Sequence, residues 1–152
     1  NYAIRGAVIA ARLGIERATW FFHANDKAPS SLYTRSGLLG SANTGFAKKK
    51  TFLAFQSLVE KLGSKYFHSV VREDEMAWVY RFGDANGKVT HLVAWRPVNS
   101  DDETIPVSSI KLPIDPEYAW LLDGTGLPFP QLNPRQGIEL PTDGTPVLFK
   151  LK

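Results

Sequence analysis

The chain has 152 residues and a net charge of +3, and 43% of its residues are hydrophobic. These values are typical of one globular domain or two small ones with an apolar core. The absence of cysteine excludes a disulfide scaffold, a thiolate metal site and a cysteine nucleophile. No apolar run approaches the roughly 20 residues of a membrane helix, and the scattered basic residues do not favour nucleic-acid binding.

The first part of the chain predicts a helix followed by a strand. Residues 2–13 have the apolar spacing of an amphipathic helix, and Gly14 stands where such a helix ends. The apolar positions of this helix are Ile4, Val8, Ala11 and Leu13. Residues 15–23 are apolar almost throughout, which predicts a strand covered on both faces, as in a parallel sheet. Because the helical pattern begins directly after Asn1, we expect the sequence to start partway through a larger protein.

A long loop and a second helix are predicted next. Residues 24–50 are rich in Ser, Gly, Asn and Lys and lack periodic apolar positions, and long loops of this kind are usually functional or mobile. Thr51 is the predicted cap of a helix that ends at Gly63. The apolar stripe of this helix is Phe52, Phe55, Leu58, Val59 and Leu62.

After Gly63 the pattern changes to short segments rich in Val, Thr and aromatic residues. The predicted strands are "YFHSVVRE", "EMAWVYRFGD", "KVTHLVAWRP", "TIPVSSIKL", "EYAWLLD", "GIEL" and "TPVLFKLK". Turn sequences separate several of them, at residues 84–87, 123–126 and 143–144. This pattern predicts an antiparallel β-sandwich over residues 64–152. The earlier patterns predict a helix–strand–helix unit over residues 1–63. The predicted fold class is therefore α+β.

The predicted strand in residues 15–23 lacks neighbours for its backbone hydrogen bonds within residues 1–63. We expect those neighbours in another copy of the chain, in another part of the same protein, or in the sandwich.

The order of several short motifs resembles a known family. "ARLGIERATWFFHAND", a loop with "LYTRSGLL" and the helix "KKKTFLAFQSLVEKL" resemble the end of the (β/α)8 barrel in clan-A retaining glycoside hydrolases. "VYRFGDANGKVTHLVAWRP", "WLLDGTGLP" and "TPVLFKL" are similar to the β-sandwich that such barrels carry. Lys50-Thr51 departs mildly from the Lys-Pro that often opens the final helix. The resemblance covers nearly the whole chain, and it implies a carbohydrate as the ligand and a secreted or periplasmic location.

The resemblance implies that the two catalytic carboxylates lie outside this chain, before Asn1. Retaining hydrolysis needs two carboxyl groups about 5–5.5 Å apart, and no pair here is assigned that role. Glu16 begins the predicted strand, which is the wrong end of a barrel whose active site lies at the strand C-termini. The run from Glu73 to Glu75 is interpreted as a solvated acidic turn. The chain alone is therefore predicted to be inactive.

Four residues are the predicted substrate contacts at the end of the barrel strand. Trp20 can stack on a sugar ring, although a core position is the alternative. His23, Asn25 and Asp26 can bind sugar hydroxyls, although Asn and Asp are also ordinary turn residues. Tyr33 and Arg35 are weaker candidates at the border of the cleft.

A second hypothesis places sugar binding on the sandwich. Trp78, Trp95 and Trp120 form a binding surface if they are exposed together, and otherwise they belong to the core. The chain is then a non-catalytic carbohydrate-binding module. A third hypothesis is a structural domain that only stabilises the barrel. The scattered histidines His23, His68 and His91 do not indicate a metal site, and no cofactor is predicted.

Overall fold

The computed structural model describes residues 2–19, 23–26, 31, 33–98, 109–112, 116–125, 127–129 and 137–152. Its elements are two α-helices, seven β-strands and two short 3-10 helices at Tyr33–Arg35 and Ala42–Thr44. The helices are α1 (Tyr2–Arg12) and α2 (Lys50–Leu62). The strands are β1 (Tyr66–Glu73), β2 (Trp78–Gly83), β3 (Val89–Trp95), β4 (Ser109–Ile110), β5 (Pro116–Leu121), β6 (Ile138–Glu139) and β7 (Val147–Leu151). No described helix is long and apolar enough to span a membrane.

An antiparallel sheet of five strands, in the order β1-β2-β3-β7-β5, is the centre of the structure. Each of the seven segments predicted as strands contains one, and the predicted α+β class is confirmed. The turn between β2 and β3 forms as the sequence predicts, because Asp84 Oδ1 accepts hydrogen bonds from the backbone N–H groups of Asn86 and Lys88. Gly87 adopts a left-handed φ of 81° in this turn, a conformation that favours glycine.

The five-stranded sheet is covered on both faces. On one face, α1 and α2 pack on Tyr80, Val93 and Leu148, which lie on neighbouring strands. On the other face, the two-stranded sheet of β4 and β6 packs through Ile110 and Ile138. Successive side chains of a strand point to opposite faces, so β2, β3 and β7 supply both clusters with alternate residues. The helices of residues 1–63 thus share an apolar core with the strands of residues 64–152.

Helix α1 ends as predicted, at a left-handed glycine. Gly14 has a φ of 69°, and its N–H donates to the carbonyl of Ala11 at 3.2 Å. The N–H of Ile15 reaches back to Ala10 at 2.9 Å, which completes the hydrogen-bond pattern of a Schellman motif.

The strand predicted directly after this stop is not formed in its described part. Residues 15–19 have no regular secondary structure and are exposed, and residues 20–22 lie outside the described residues. An apolar run becomes a strand only where a neighbour satisfies its backbone groups. Residues 15–19 have no strand partner within the described part of the chain.

The predicted start of α2 was wrong. The helix begins at Lys50, and its N-cap is Lys49 rather than Thr51.

The predicted apolar stripe of α2 was wrong at Val59, which is 64% exposed. Leu62 of the stripe is buried, and Phe55 and Leu58 pack against the same core. The small residue Ala54 is buried as well.

Candidate functional site

The loop that follows the predicted barrel strand folds back on itself. Ala24 forms an isolated parallel bridge with Leu39, which in turn forms an antiparallel bridge with Lys48. The carbonyl of His23 accepts from the N–H of Leu39 at 3.0 Å, and the N–H of Asp26 donates to the carbonyl of Thr34 at 3.0 Å. These bonds fix the backbone of the segment that carries His23, Asn25 and Asp26. His23 and Asp26 are exposed there, and Asn25 is half-buried.

Asn25 stabilises this loop through its side chain. Its Oδ1 accepts from the N–H of Gly37 at 3.1 Å and from Lys49 Nζ at 3.3 Å. Lys49 Nζ also donates to the carbonyl of Arg35 at 2.7 Å. The amide oxygen of Asn25 is therefore engaged in loop structure. This geometry favours the turn interpretation of Asn25 over a role as an acceptor for sugar hydroxyls.

Gly37 explains why the "SGL" sequence of this loop contains glycine. A Cβ at this position would overlap the backbone of Ala24 and Asn25, so only glycine allows the two segments to approach. Trp20 and the side chain of Tyr33 lie outside the described residues. The aromatic contact predicted for Trp20 therefore stays a prediction.

Two of the three tryptophans of the sheet belong to an aromatic cluster under the helices. Trp95 is 2% exposed, so it does not present the exposed ring that the sugar-binding hypothesis requires. Its ring centroid lies 5.6 Å from that of Trp78 and 5.2 Å from that of Tyr80, with the Tyr80 ring perpendicular to it. Trp78 is half-buried in the same cluster. These contacts favour the core interpretation for Trp95 and, in part, for Trp78.

Trp120 lies at the margin of the helix-covered face, beside an exposed tyrosine. Tyr118 and Trp120 are two residues apart on β5, so both side chains are on the same face. Their ring centroids are 6.0 Å apart, and the ring planes are inclined by 29°. Tyr118 is 53% exposed, and Trp120 is half-buried. This stacked pair differs from the surface of the second hypothesis, which requires tryptophans exposed together, because Trp120 is half-buried and the exposed ring is that of Tyr118.

Cationic side chains border the stacked pair. Lys61, in the last turn of α2, places its Nζ 5.1 Å from the ring centroid of Trp120. Lys150 of the neighbouring strand β7 places its Nζ 5.8 Å from the centroid of Tyr118. Lys150 also forms an ion pair with Glu117 at 3.0 Å. A lysine ammonium is attracted to the face of an aromatic ring at these distances.

A histidine lies beneath this margin of the sheet. His91 of β3 is paired with Lys150 of β7, which is paired in turn with Tyr118 of β5. His91 is 9% exposed, and its Nδ1 is 2.9 Å from Thr90 Oγ1. Burial lowers the pKa of His91, and the positive charges of Lys65 and Lys150 lower it further. The imidazole is therefore neutral at pH 7. We define the β5 surface as Lys61, Tyr118, Trp120 and Lys150.

A concave region lies at the end of the sheet where β2 turns into β3. It has a volume of about 420 Å³, and its lining includes Tyr66, His68 and Asp84. The carboxylate of Asp84 is engaged in the turn described above, and His68 Nδ1 is 3.0 Å from Ser69 Oγ. The polar side chains of Asp84 and His68 are therefore engaged in local hydrogen bonds.

The acidic run at the end of β1 leads into a turn, as predicted, and Glu73 and Asp74 are paired with arginines. Arg12 contacts Glu73 Oε2 through both Nε and Nη2 at 2.8 Å. Asp74 accepts from the N–H groups of Met76 and Ala77 at 2.8 and 3.0 Å. A hydrogen bond from Arg72 lowers the pKa of Asp74. Within the described residues, no group of three or more His, Asp or Glu side chains could hold a metal ion.

The sequence reasoning missed Tyr118 and the lysines of the β5 surface. The signal was present for Tyr118, because the alternation in "EYAWLL" puts it on the same face as Trp120. Lys61 carried no such signal, since its position depends on where α2 ends. Comparison with protein-family models, with curated proteins and with solved structures finds no match for this chain.

Proposed function

We propose that this chain is the C-terminal portion of a secreted or periplasmic glycoside hydrolase that acts on a polysaccharide or oligosaccharide. In this proposal, residues 1–63 end a (β/α)8 barrel and residues 64–152 form its accessory β-sandwich. The exposed segment between α1 and the loop carries the proposal. Residues 15–19 follow a helix that ends in a defined stop, yet they have no strand partner among the described residues.

The outer side of the helix layer supports the same assignment. A concave apolar region of about 160 Å³ lies between α1 and α2, lined by residues that include Ala7, Ala11 and Leu58. Val59, which also lines this region, is 64% exposed, and Leu13 and Ile15 after α1 are 58% and 50% exposed. An apolar concave region and exposed apolar side chains are typical of a surface that another element covers. In the proposed enzyme, the remainder of the barrel covers them.

The catalytic carboxylates of the proposed enzyme lie outside this chain. The described loop contributes the exposed side chains of His23 and Asp26 to the rim of the cleft, and Trp20 forms an aromatic wall. Asn25 holds the rim in shape through Gly37 and Lys49. Loops at the C-terminal ends of barrel strands carry the active sites of such barrels, so these residues affect substrate binding rather than bond cleavage.

The test compares residues 1–152 with the full-length product of the gene on aryl glycosides and soluble polysaccharides. The proposal expects no hydrolysis by residues 1–152 and hydrolysis with retention of anomeric configuration by the full-length product. Turnover by residues 1–152 alone, or a full-length product inactive on every glycoside tested, would contradict it.

A non-catalytic carbohydrate-binding module is the second candidate, and the stacked pair of Tyr118 and Trp120 favours it. Affinity electrophoresis through gels containing polysaccharide separates the candidates. Retardation that is lost in Trp120→Ala but kept in Trp78→Ala supports binding through β5, because Trp78 belongs to the aromatic cluster under the helices. Equal retardation of both variants and of the unsubstituted chain would contradict it.

A further inference from the structure

The structure points to the class of glycan that the β5 surface would take. We propose that the β5 surface binds an acidic polysaccharide, one whose sugar rings carry carboxylate groups. This inference rests on the second candidate function, in which the domain binds carbohydrate through β5. It adds that the recognised sugar is anionic, and it assigns the recognition of charge to the lysines of the β5 surface.

The aromatic part of the surface supplies contact with the sugar ring. The exposed Tyr118 ring and the half-buried Trp120 ring are stacked, so their outward edges and the adjoining ring surface form one continuous apolar strip. The C–H groups of a sugar can pack on such a strip. Trp120 also contacts the apolar cluster under α2, which fixes the position of its ring before any ligand arrives.

The charge of the surface selects the anionic sugars. Lys61 and Lys150 contribute two positive charges, and Lys150 is paired with the carboxylate of Glu117. Within the described residues, Lys61 has no ion-pair partner. The surface therefore has one positive charge without a carboxylate partner there. A carboxylate on the ligand would complete this pair and form a charge-assisted hydrogen bond with the ammonium group.

The positions of the two ring-bound lysines suit this role. Each ammonium group lies beside a ring of the stacked pair, and the two lysines come from different elements, α2 and β7. A sugar bound along the rings would therefore have a cation near each end of the strip. Neighbouring acidic sugars of one polymer could then each meet a positive charge.

His91 of β3 does not add a positive charge to the β5 surface near pH 7. His91 lies beneath the lysines, and burial together with the charges of Lys65 and Lys150 lowers its pKa. Its ring is neutral under those conditions. Lys61 and Lys150 therefore carry the positive charge of the surface, and Glu117 carries its negative charge.

The test is affinity electrophoresis of residues 1–152 at pH 7.5 in gels that contain polygalacturonate or, in parallel, a neutral β-glucan. We expect retardation in polygalacturonate that weakens strongly when the salt concentration is raised, because exposed charge pairs are screened. Lys61→Gln should lower the affinity for polygalacturonate by about tenfold, with one charge-assisted contact removed. Lys88→Gln, which changes a lysine in the turn between β2 and β3, is the matched control and should not alter it.

Two aromatic variants separate specific binding from simple charge attraction. Tyr118→Ala removes an exposed ring and Trp120→Ala a half-buried one, so the first keeps the test valid if the second fails to fold. Both should reduce retardation in polygalacturonate at unchanged net charge. Retention of full affinity in Tyr118→Ala and in a folded Trp120→Ala would overturn the proposal in favour of non-specific attraction.

The remaining outcomes distinguish this inference from the proposed function. Equal retardation by the neutral glucan and by polygalacturonate would overturn the acidic ligand class and leave carbohydrate binding through β5 intact. No retardation by either polymer would overturn both the inference and the binding-module candidate. Glycosidase activity of the full-length gene product is measured separately, and its presence or absence does not bear on these gels.

Discussion

Substitution of Tyr80 by phenylalanine tests the energetics of the aromatic cluster under the helices. Tyr80 is 0% exposed, and its hydroxyl oxygen has no hydrogen-bond partner in the structure. Burial raises the pKa of the phenol, and Glu73 raises it further through its charge and a hydrogen-bonding interaction that falls outside regular hydrogen-bond geometry. The wild-type protein therefore buries this polar group with little compensation. Tyr80→Phe removes that group and keeps the ring.

The expected gain follows from the cost of an unsatisfied buried hydroxyl, which is about 1–3 kcal/mol. The ring contacts with Trp95, Trp78 and Phe67 are retained in the variant, because phenylalanine has the same ring. The small void left by the oxygen offsets part of the gain. We therefore expect Tyr80→Phe to raise the free energy of unfolding by about 1 kcal/mol, which corresponds to an increase in Tm of about 2–4 °C for a chain of this size.

The effect should grow at alkaline pH. Burial and the charge of Glu73 raise the pKa of Tyr80 from 10.0 to about 12. Between these values the unfolded phenol loses its proton and the folded one keeps it, so the folded state binds more protons and stability falls as pH rises. The variant lacks this group, and its advantage should increase between pH 10 and pH 11.

Urea denaturation followed by tryptophan fluorescence measures both effects, at pH 7.5 and between pH 10 and 11. Tyr118→Phe is the matched control, since its hydroxyl belongs to a side chain that is 53% exposed and its removal should change stability by less than about 0.5 kcal/mol. A loss of 1 kcal/mol or more in Tyr80→Phe would refute the reasoning, because it would mean that the hydroxyl makes a stabilising hydrogen bond.

Three further predictions concern backbone space, a buried histidine and an ion pair. Gly6→Ala should stabilise α1 by about 0.5–1 kcal/mol in urea denaturation, since a Cβ there meets nothing within 4 Å. Gly37→Ala should instead destabilise the loop and increase its cleavage by protease, because a Cβ there overlaps the backbone of Ala24 and Asn25. The lowered pKa of His91 means that the unfolded state binds more protons, so stability should fall as pH drops below about 6.5, and His91→Gln should abolish this part of the pH dependence. Arg12→Ala should cost about 1 kcal/mol or less by loss of the Glu73 contact, and a cost that does not shrink in 1 M NaCl would contradict an electrostatic origin.

The strands could be predicted from the sequence because their signals are local. Alternating apolar residues between turn sequences located all seven strands, and the Asp-rich turns form the hydrogen bonds that their side chains allow, as at Asp84, Asp123 and Asp143. The stop of α1 at Gly14 is local in the same sense. Each of these features depends on residues within a few positions, so one stretch of sequence contains the information.

The failures concern features that depend on distant neighbours. The apolar run in residues 15–23 fits a strand, but strand formation requires a partner, and residues 15–19 have none among the described residues. Val59 was assigned to the apolar stripe of α2 for a related reason. Periodicity identifies an apolar stripe, but the elements that pack against the helix decide which residues are buried, here Ala54 and Ser57 rather than Val59.

The accessibility of the aromatic residues on this face depends on contacts that are distant in sequence. Trp95 and Trp120 point to the same face of the sheet as Tyr118, so alternation alone gives all three the same expectation. Helix α2 ends at Leu62, and Lys61 in its last turn lies over Trp120, which is half-buried. Tyr118, two residues earlier on β5, stays 53% exposed. The strand pattern therefore identifies the face of each ring, and neighbours from distant parts of the chain decide which rings remain available to a ligand.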